Sequence, residues 1–392
     1  MKTNALLGLT VLSLLSACSG ASIPQESMDG KIEITDGIGR KLIVNPGSYR
    51  KIVCVGAGAL RLYSYLGDMS LLSGVEDIDN PEVRENSTMP FEGVARPYYD
   101  ANKDVLRGLP SAGTGGPIAN QQGPNLAKLI SCEPDLIISD FETKEAAEAM
   151  EKATGAMVFT IKYGRKAVFD ETVHAVLQTL GKLLDRQDRA NELLSYIEKE
   201  TKTLQEKTKD VTERPNVYVG GIGNWGQKDY LATHSAYPMF NVANIKNVLS
   251  DVTLAVAGQQ DISKETFESL APHVDKMILD AAGMKQTLVA YQADKTIFDN
   301  VKAISQGEVY LQLPYNAYYT NLEVSLMNAY FDASSVYPSL FEGFDFEGKC
   351  REILSTFNGK DVYDFEKSLP GNYGGYQKID NFSSWCEEHI GK

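Results

Sequence analysis

The sequence predicts an α/β fold of two similarly built lobes that a long helical segment joins. Three observations lead to this prediction. Short apolar strands alternate with helical patterns through most of the chain. Residues 169–209 have a helical pattern with almost no interruption, and the pattern around Pro134 recurs around Pro272. Because strands separated by helices usually pair in parallel, we expect a mainly parallel sheet in each lobe.

The first lobe is predicted to span residues 31–165. It opens with a short hairpin, 31–35 and 41–44, around the turn Asp36-Gly37-Ile38-Gly39. The alternation then continues through strand 52–55, helix 59–66, strand 71–75, helix 124–131, strand 136–139, helix 144–154 and strand 157–161. Between these elements, Arg96-Pro97-Tyr98-Tyr99 has no periodic pattern and is expected to form a loop.

Residues 166–210 are the predicted linking helix region, and 211–392 the second lobe with its tail. Apolar side chains recur at helical spacing in the link, as Val173, Val176, Leu177, Leu180, Leu183 and Leu184, and beyond Asp185-Arg186 as Leu193, Leu194, Ile197 and Leu204. The second lobe resumes with strands predicted at 217–219, 277–279 and 309–313. The tail from Asp361 is rich in Gly and Tyr, and its role is undefined.

An internal repeat in the sequence supports the division into two lobes. In each half a short helix runs through a proline-containing turn and an aspartate into an apolar strand that ends at a second aspartate. The first half has Asp135 and Asp140 at these places, and the second half has Asp275 and Asp280. The recurrence at equivalent places indicates two lobes built alike.

The first residues have the features of an export signal. Lys2 precedes an apolar run from Ala5 to Leu15 that is shorter than the roughly 20 residues of a membrane-spanning helix. Leu15-Ser16-Ala17-Cys18 looks like a bacterial lipobox, so we expect a signal peptide at 1–17, lipidation of Cys18 and a flexible tether over 18–30. The protein is thus expected at the extracytoplasmic face of the cell membrane, held by a lipid anchor.

The charge balance restricts the partners. The chain has 38 Lys and Arg against 52 Asp and Glu, for a formal net charge of −14. Such a surface repels nucleic acid and anionic lipid, so an anionic ligand would need a local basic site.

Residue types that ligate metals are few and scattered. There is no Cys-x-x-Cys pair and there are only four histidines, which is neither a zinc-finger nor an iron–sulfur pattern. Cys54 and Cys132 fall in apolar patterns and are expected to be buried thiols. Cys350 and Cys386 lie in a polar region of an exported chain, where a disulfide and two free thiols both remain open.

Several stretches resemble the helix-linked class of solute-binding proteins of ABC importers, the group that serves ferric siderophores, haem and cobalamin. These stretches are 34–40, 50–56, 67–68 with 72–76, 113–116, 125–129, 133–138 and 180–184, which read ITDGIGR, RKIVCVG, GD with LSGVE, GTGG, NLAKL, EPDLII and LGKLL. Together they extend over nearly all of the mature chain.

The resemblance implies two Rossmann-like lobes joined by one long rigid helix, with the ligand in the cleft between them. It implies a binding protein rather than an enzyme, without a cofactor, that hands its ligand to an ABC importer permease. It also implies modest closure on binding, so the cleft should be largely preformed. The tail from Asp361 is longer than the family pattern.

Ligands of such folds contact loops at the carboxyl ends of strands. The candidate ligand-binding residues are Gly58, Arg61, Arg96, Tyr98, Tyr99, Thr114, Tyr163, Trp225, His234, Tyr237, Tyr315, Tyr318 and Tyr319. Arginine neutralises chelating oxygens, and tyrosine packs on a flat organic ligand while its hydroxyl donates a hydrogen bond. The set favours a ferric siderophore or other metal chelate over a bare divalent ion, which would need converging histidines and carboxylates.

The resemblance also implies one acidic residue on each lobe that meets the permease. We expect Glu82, which follows the strand at 71–75, and Glu265 in the second lobe. These residues would let a two-lobed protein sit over a two-fold transporter.

Two other functions stay open. An extracytoplasmic lipoprotein enzyme, for example a glycosidase, could use a pair of the many carboxylates. A surface adhesin could use the same fold. The sequence contains no Gly-x-Ser-x-Gly, His-Glu-x-x-His or Gly-x-x-x-x-Gly-Lys motif.

Overall fold

A hairpin and a four-stranded sheet form the first lobe. The computed structural model describes residues 30–85, 94–116, 122–223, 228–254, 256 and 258–391. The first-lobe elements are β1 (Ile32–Thr35), β2 (Lys41–Val44), β3 (Ile52–Val55), α1 (Ala59–Leu66), β4 (Leu72–Gly74), α2 (Pro81–Glu85), α3 (Pro97–Leu106), α4 (Leu126–Cys132), β5 (Leu136–Ser139), α5 (Lys144–Thr154) and β6 (Met157–Thr160).

The first-lobe sheet is parallel, in the order β4-β3-β5-β6. Every residue of the central strands β3 and β5 is buried, as expected for apolar strands that helices cover on both faces. Asp135 aligns these two strands, because its carboxylate accepts hydrogen bonds from the backbone N–H groups of Arg50 (2.7 Å) and Lys51 (3.0 Å).

The loop predicted at residues 96–99 is instead the start of a helix. α3 begins at Pro97, where proline loses no hydrogen bond because the first N–H groups of a helix have no intrahelical partner. Tyr98 and Tyr99 in its first turn are buried. The prediction failed because proline followed by two aromatic residues gives no helical periodicity.

Two helices form the linking region, α6 (Glu171–Leu183) and α7 (Gln187–Thr208). Asp185 separates them in a left-handed conformation (φ 54°), and the N–H of Arg186 bonds the carbonyl of Gly181 (2.7 Å). The long helix of the fold is α7, whose 22 residues span about 33 Å. Its predicted apolar stripe is buried at Leu193, Ile197 and Leu204.

The second lobe repeats the plan of the first. Its elements are β7 (Asn216–Gly220), β8 (Ala232–His234), α8 (Pro238–Val242), β9 (Lys246–Asn247), β10 (Gln259–Asp261), α9 (Lys264–Leu270), β11 (Lys276–Asp280), α10 (Met284–Ala293), α11 (Lys302–Ser305), β12 (Val309–Gln312), α12 (Leu322–Val336), α13 (Phe346–Asn358), α14 (Tyr363–Ser368), β13 (Gln377–Ile379) and α15 (Phe382–His389). Its five-stranded sheet has the order β13-β12-β11-β7-β9, parallel except for β13, and a separate antiparallel pair joins β8 and β10.

The order of the strands in the two sheets confirms the internal repeat that the sequence indicates. β9-β7-β11-β12 has the same connectivity as β4-β3-β5-β6. Asp275 plays the part of Asp135, since its carboxylate accepts a 2.8 Å hydrogen bond from the N–H of Asn216 at the start of β7. The predicted class, two α/β lobes with mainly parallel sheets, is therefore confirmed.

Helix α12 joins the packing of the two lobes. Apart from Ser334 and Ser335, all its residues are buried, including the polar side chains of Glu323, Asn328 and Asp332. Its side chains belong to an apolar core that also contains first-lobe residues such as Leu60 and Ile138. The lobes thus share part of one core in addition to the covalent link.

The C-terminal tail crosses back to the first lobe. The ammonium of Lys360, just before the tail, donates to the carbonyl of Ala101 (2.5 Å) in α3. Asn372 accepts a hydrogen bond from the N–H of Ala95 (3.3 Å), and Lys103 places its ammonium 3.9 Å from the ring centre of Phe365. The tail, whose role the sequence left undefined, is therefore a structural bridge between the lobes.

The four cysteines of the described chain are free and buried. Cys350 lies in the core shared by the lobes, whereas Cys386 lies in the separate core of the second lobe. The disulfide left open for this pair is therefore not present. The residues around them look polar in the sequence, but the thiols themselves occupy the apolar faces of α13 and α15.

No helix within the described residues combines the length and apolar character needed to cross a bilayer.

Candidate ligand-binding cleft

A cavity of about 1180 Å³ lies between the lobes. Its walls come from loops that follow β3, β5 and β6 in the first lobe and β7, β8 and β12 in the second, where the carboxyl ends of parallel strands meet. The polar and aromatic side chains that line it include Asp140, Glu142, Tyr163, Arg165, Lys166, His234, Gln259, Tyr315, Asn316, Tyr318 and Tyr319. Five of the predicted ligand-binding residues are among them: Tyr163, His234, Tyr315, Tyr318 and Tyr319.

Tyr163 and Tyr319 form an aromatic pair across the lobes. Their ring centres are 4.5 Å apart at an interplanar angle of 41°. The hydroxyl of Tyr163 donates to the carbonyl of Gly58 (2.9 Å), and a Cβ on Gly58 would stand only 2.5 Å from that hydroxyl. Gly58 therefore lies behind the Tyr163 ring, outside the cavity lining, and makes room for it.

The loop that carries Tyr318 and Tyr319 is strained. Both residues have left-handed backbones, with φ of 52° and 70°, which costs roughly 1–2 kcal/mol for each non-glycine residue. The N–H of Ala317 bonds the carbonyl of Tyr319 (3.1 Å), so the loop folds back on itself. Such strain persists only where surrounding contacts impose it.

Arg61 supplies those contacts. Its guanidinium is buried and donates to the carbonyl oxygens of Tyr318 (3.0 Å) and Ala317 (2.8 Å) and to Oδ1 of Asn321 (2.9 Å). Arg61 does not line the cavity. We therefore correct its predicted role from ligand contact to a first-lobe residue that positions the second-lobe loop.

Arg96, Tyr98 and Tyr99 form a second buried cluster away from the cavity lining. Asp79 accepts hydrogen bonds from Arg96 (2.7 Å) and from the hydroxyl of Tyr98 (2.8 Å), and the guanidinium of Arg96 lies 4.5 Å from the ring centre of Tyr99. A buried arginine needs a compensating carboxylate. That requirement, rather than a ligand, accounts for these side chains.

The remaining candidates have other places. Thr114 is exposed outside the cavity lining, and its carbonyl accepts from the N–H of Ile78 (3.1 Å). Tyr237 is buried behind Tyr315, and its hydroxyl accepts from Nε2 of Gln312 (2.8 Å). Trp225 and the predicted lipidation site Cys18 lie outside the described residues.

His234 presents a hydrogen-bond donor to the cavity. Burial lowers its pKa to about 4, so the imidazole is neutral at physiological pH. Nδ1 accepts a hydrogen bond from the N–H of Ala236 (3.2 Å), which leaves the ring proton on Nε2. The lone pair of Nε2 is then unavailable, so in this tautomer His234 is a donor and not a metal ligand.

Arg165 and Lys166 give the cavity a cationic wall. Both are exposed, and their side chains make no hydrogen bond or ion pair with the part of the chain that the structure describes. Asp170 fixes their backbone by accepting from the N–H groups of Arg165 (2.6 Å) and Lys166 (2.9 Å). Burial opposes ionisation of Asp170, but these bonds outweigh it and lower its pKa.

Sequence reasoning placed Arg165 in the candidate stretch Tyr163-Gly164-Arg165 but gave Lys166 and Asp140 no role in the site. Each follows a strand of the first-lobe sheet, β6 or β5, so position relative to the strand ends was the available signal. Within the described residues, no group of three or more His, Cys, Asp or Glu side chains is placed to hold a metal ion.

The two predicted docking residues are exposed at helix starts. Glu82 lies in the first turn of α2 and Glu265 in the first turn of α9. Their meeting with a permease stays a prediction.

A relative of known binding function matches part of the chain. The Fe(3+)-citrate-binding protein YfmC of Bacillus subtilis is 26% identical over 216 residues. The match covers 54% of this chain and 64% of YfmC, so it spans less than two thirds of that relative.

Solved structures share the fold at low sequence identity. A periplasmic solute binding protein from Veillonella parvula superposes with a TM-score of 0.63 at 17% identity, over 86% of this chain and 96% of that one. The molybdate periplasmic binding protein MolA of Haemophilus influenzae gives 0.62 at 15% identity, over 84% and 98%. The petrobactin-binding protein YclQ of Bacillus subtilis gives 0.52 at 17% identity, over 79% and 98%.

The sequence model described as periplasmic binding protein matches residues 90–312, which is more than half of the chain. Two lobes with parallel sheets and a cleft between them agree with this match. The chain therefore belongs to the periplasmic binding protein family, whose members are solute-binding proteins.

Proposed function

We propose that the protein binds a ferric siderophore or a related iron chelate in its cleft and delivers it to an ABC importer. The observation that carries this proposal is the wall where the rings of Tyr163 and Tyr319 pack together beside the exposed cations Arg165 and Lys166. Aromatic faces suit the organic frame of a chelate, and cations suit its oxygen atoms.

The size and chemistry of the cleft support an organic chelate over a bare ion. A volume of about 1180 Å³ suits an organic ligand, whereas a bare ion needs only a small cage of converging ligands. Burial raises the pKa of Tyr319 to about 12, so its phenol keeps its proton and acts as a donor. His234 is a second donor, and oxygen-rich chelates offer acceptors to both.

The choice of iron as the metal and the delivery to an importer are supported by relatives and by the sequence. The iron-citrate-binding relative supports iron as the metal, and the family supports capture of a solute outside the cytoplasm. We further propose that Cys18 anchors the protein to the membrane and that Glu82 and Glu265 contact the permease.

In the experiment, the protein lacking residues 1–18 is titrated with each candidate ligand, and binding is monitored by intrinsic fluorescence. Ferric citrate, a ferric hydroxamate, a ferric catecholate, haem and cobalamin are compared with free zinc and manganese, sugars and amino acids. We expect saturable binding of at least one metal chelate at micromolar concentration or below. Tight binding of free zinc or manganese, or of a sugar or amino acid, without binding of any chelate, would refute the proposal.

A further inference from the structure

Asp140 is a carboxyl group of the cleft that has no partner among the described residues. It follows β5 directly, lines the cavity and is partly exposed there. Its Oδ1 is buried without a hydrogen bond, and neither oxygen forms an ion pair with any described residue. Buried polar atoms in folded proteins nearly always have partners, so this carboxyl is suited to one that the described residues do not provide.

The backbone of Gly56 packs closely against Asp140. Gly56, at the end of the neighbouring strand β3, has a left-handed backbone (φ 87°), and a Cβ there would lie 2.9 Å from Cβ of Asp140. The close packing holds the carboxyl where the two strands end. Gly56 is thus required by its conformation and by its contact with Asp140.

The charges around Asp140 favour a positive partner. Burial raises the pKa of Asp140 well above its ordinary value, and the carboxyls of Glu142 and Glu76 raise it further. Arg61 opposes this effect, but its guanidinium is held by the loop carbonyls described above. The titratable groups that face Asp140 also include the phenols of Tyr163 and Tyr319. Arg165 and Lys166 line the same cavity but form no ion pair with Asp140, so a cation of the ligand would supply the partner that Asp140 lacks.

Tyr319 lies between opposite charges. Burial is the largest cause of the raised pKa of the Tyr319 phenol. The carboxyl of Asp140 raises this pKa further, whereas the guanidinium of Arg165 lowers it. Both charged groups line the same cavity. A ligand that packs on the Tyr319 ring would thus be close to both a carboxyl and a guanidinium.

We infer that Asp140 is a specificity-determining residue that accepts a hydrogen bond from an ammonium group of the ligand. The ligand class is then a ferric chelate with a pendant amine, whose oxygen atoms are recognised by Arg165, Lys166 and His234. This inference rests on the proposed function and adds to it the chemical class of the chelate.

The test compares two chelates that differ only at the pendant amine, which is charged in one and acetylated in the other. Ferrioxamine B carries a free ammonium, and its N-acetyl derivative has a neutral amide at the same position. The dissociation constants of both are measured for the purified wild-type protein, for Asp140→Asn, and for the control Glu145→Gln, which removes an exposed carboxylate of α5 outside the cavity lining. Thermal unfolding verifies that each variant is folded, and Asp140→Ser replaces Asp140→Asn if the latter fails to fold.

We expect the wild type and Glu145→Gln to prefer ferrioxamine B by roughly tenfold or more, and Asp140→Asn to bind both chelates alike. Equal binding by the wild type, or a preference that survives in both Asp140 variants, would overturn the inference. Binding of ferric citrate but of neither ferrioxamine would overturn it and leave the proposed function standing. If no metal chelate binds at all, the proposed function fails as well.

Discussion

The hydroxyl of Tyr318 donates a 2.6 Å hydrogen bond to Oε2 of Glu76, and this bond joins the second lobe to the first beside the cleft. Glu76 is buried, and burial raises its pKa to about 7 even though the Tyr318 hydroxyl and the N–H of Gly56 oppose the shift. The contact between the lobes therefore contains a group that titrates near neutrality.

The first prediction concerns stability and pH. The folded pKa of Glu76 is raised, so its contribution to stability is complete below its ordinary pKa of 4.5 and is lost as the pH rises through about 7. Glu76→Gln should remove this dependence. Relative to the wild type, the variant should gain about 2 kcal/mol in unfolding free energy between pH 5 and pH 8. Urea unfolding at both values measures the change, with Glu213→Gln, an exposed residue, as control. Parallel behaviour of wild type and Glu76→Gln would show that Glu76 does not titrate in this range.

The second prediction separates two arginines. Arg61→Gln leaves the carbonyls of Ala317 and Tyr318 without their donors, and should lower the unfolding free energy by about 3 kcal/mol. Arg165→Gln removes an exposed cation and should change it by less than about 0.5 kcal/mol. Chelate binding should weaken in both variants, through the loop position in Arg61→Gln and through direct contact in Arg165→Gln. Equal stability of the two variants would contradict the positioning role of Arg61.

The contrast between these arginines shows what the sequence could and could not predict. Strands such as β5, and the repetition of Asp135 in Asp275, follow from local pattern because burial on both faces demands apolar runs. The guanidinium of Arg61 donates to carbonyls of a loop that is 256 and 257 residues away in the sequence. A local sequence pattern cannot predict such a distant contact. The sequence likewise shows only that Asp140 follows a strand. That it has no partner among the described residues is a property of the folded cleft.

The third prediction concerns docking. Glu82→Lys combined with Glu265→Lys should bind the chelate normally but fail to stimulate transport by its importer in liposomes, because exposed charges govern encounter rather than folding. Glu213→Lys, a charge reversal at another exposed residue, which lies outside the cavity lining, serves for comparison. Undiminished transport by the double variant would remove these two residues from the docking interface.

The fourth prediction concerns the anchor. Cys18→Ala should abolish lipid attachment, because Cys18 is the cysteine at the lipobox-like sequence. Membranes are washed with high salt, and the protein is followed in the membrane and soluble fractions. Retention of Cys18→Ala in the washed membranes would contradict anchoring through this residue.

The most direct test of the account is the dissociation constant of the bound chelate in cleft variants. Tyr319→Ala removes one ring of the aromatic pair, and Arg165→Glu reverses one cleft cation. Lys202→Glu makes the same charge change on the exposed face of α7 and serves as the control. We predict that both cleft variants bind at least tenfold more weakly than the wild type, while Lys202→Glu binds as the wild type does. Unchanged affinity in Tyr319→Ala and Arg165→Glu would contradict the claim that this cleft holds a ferric chelate.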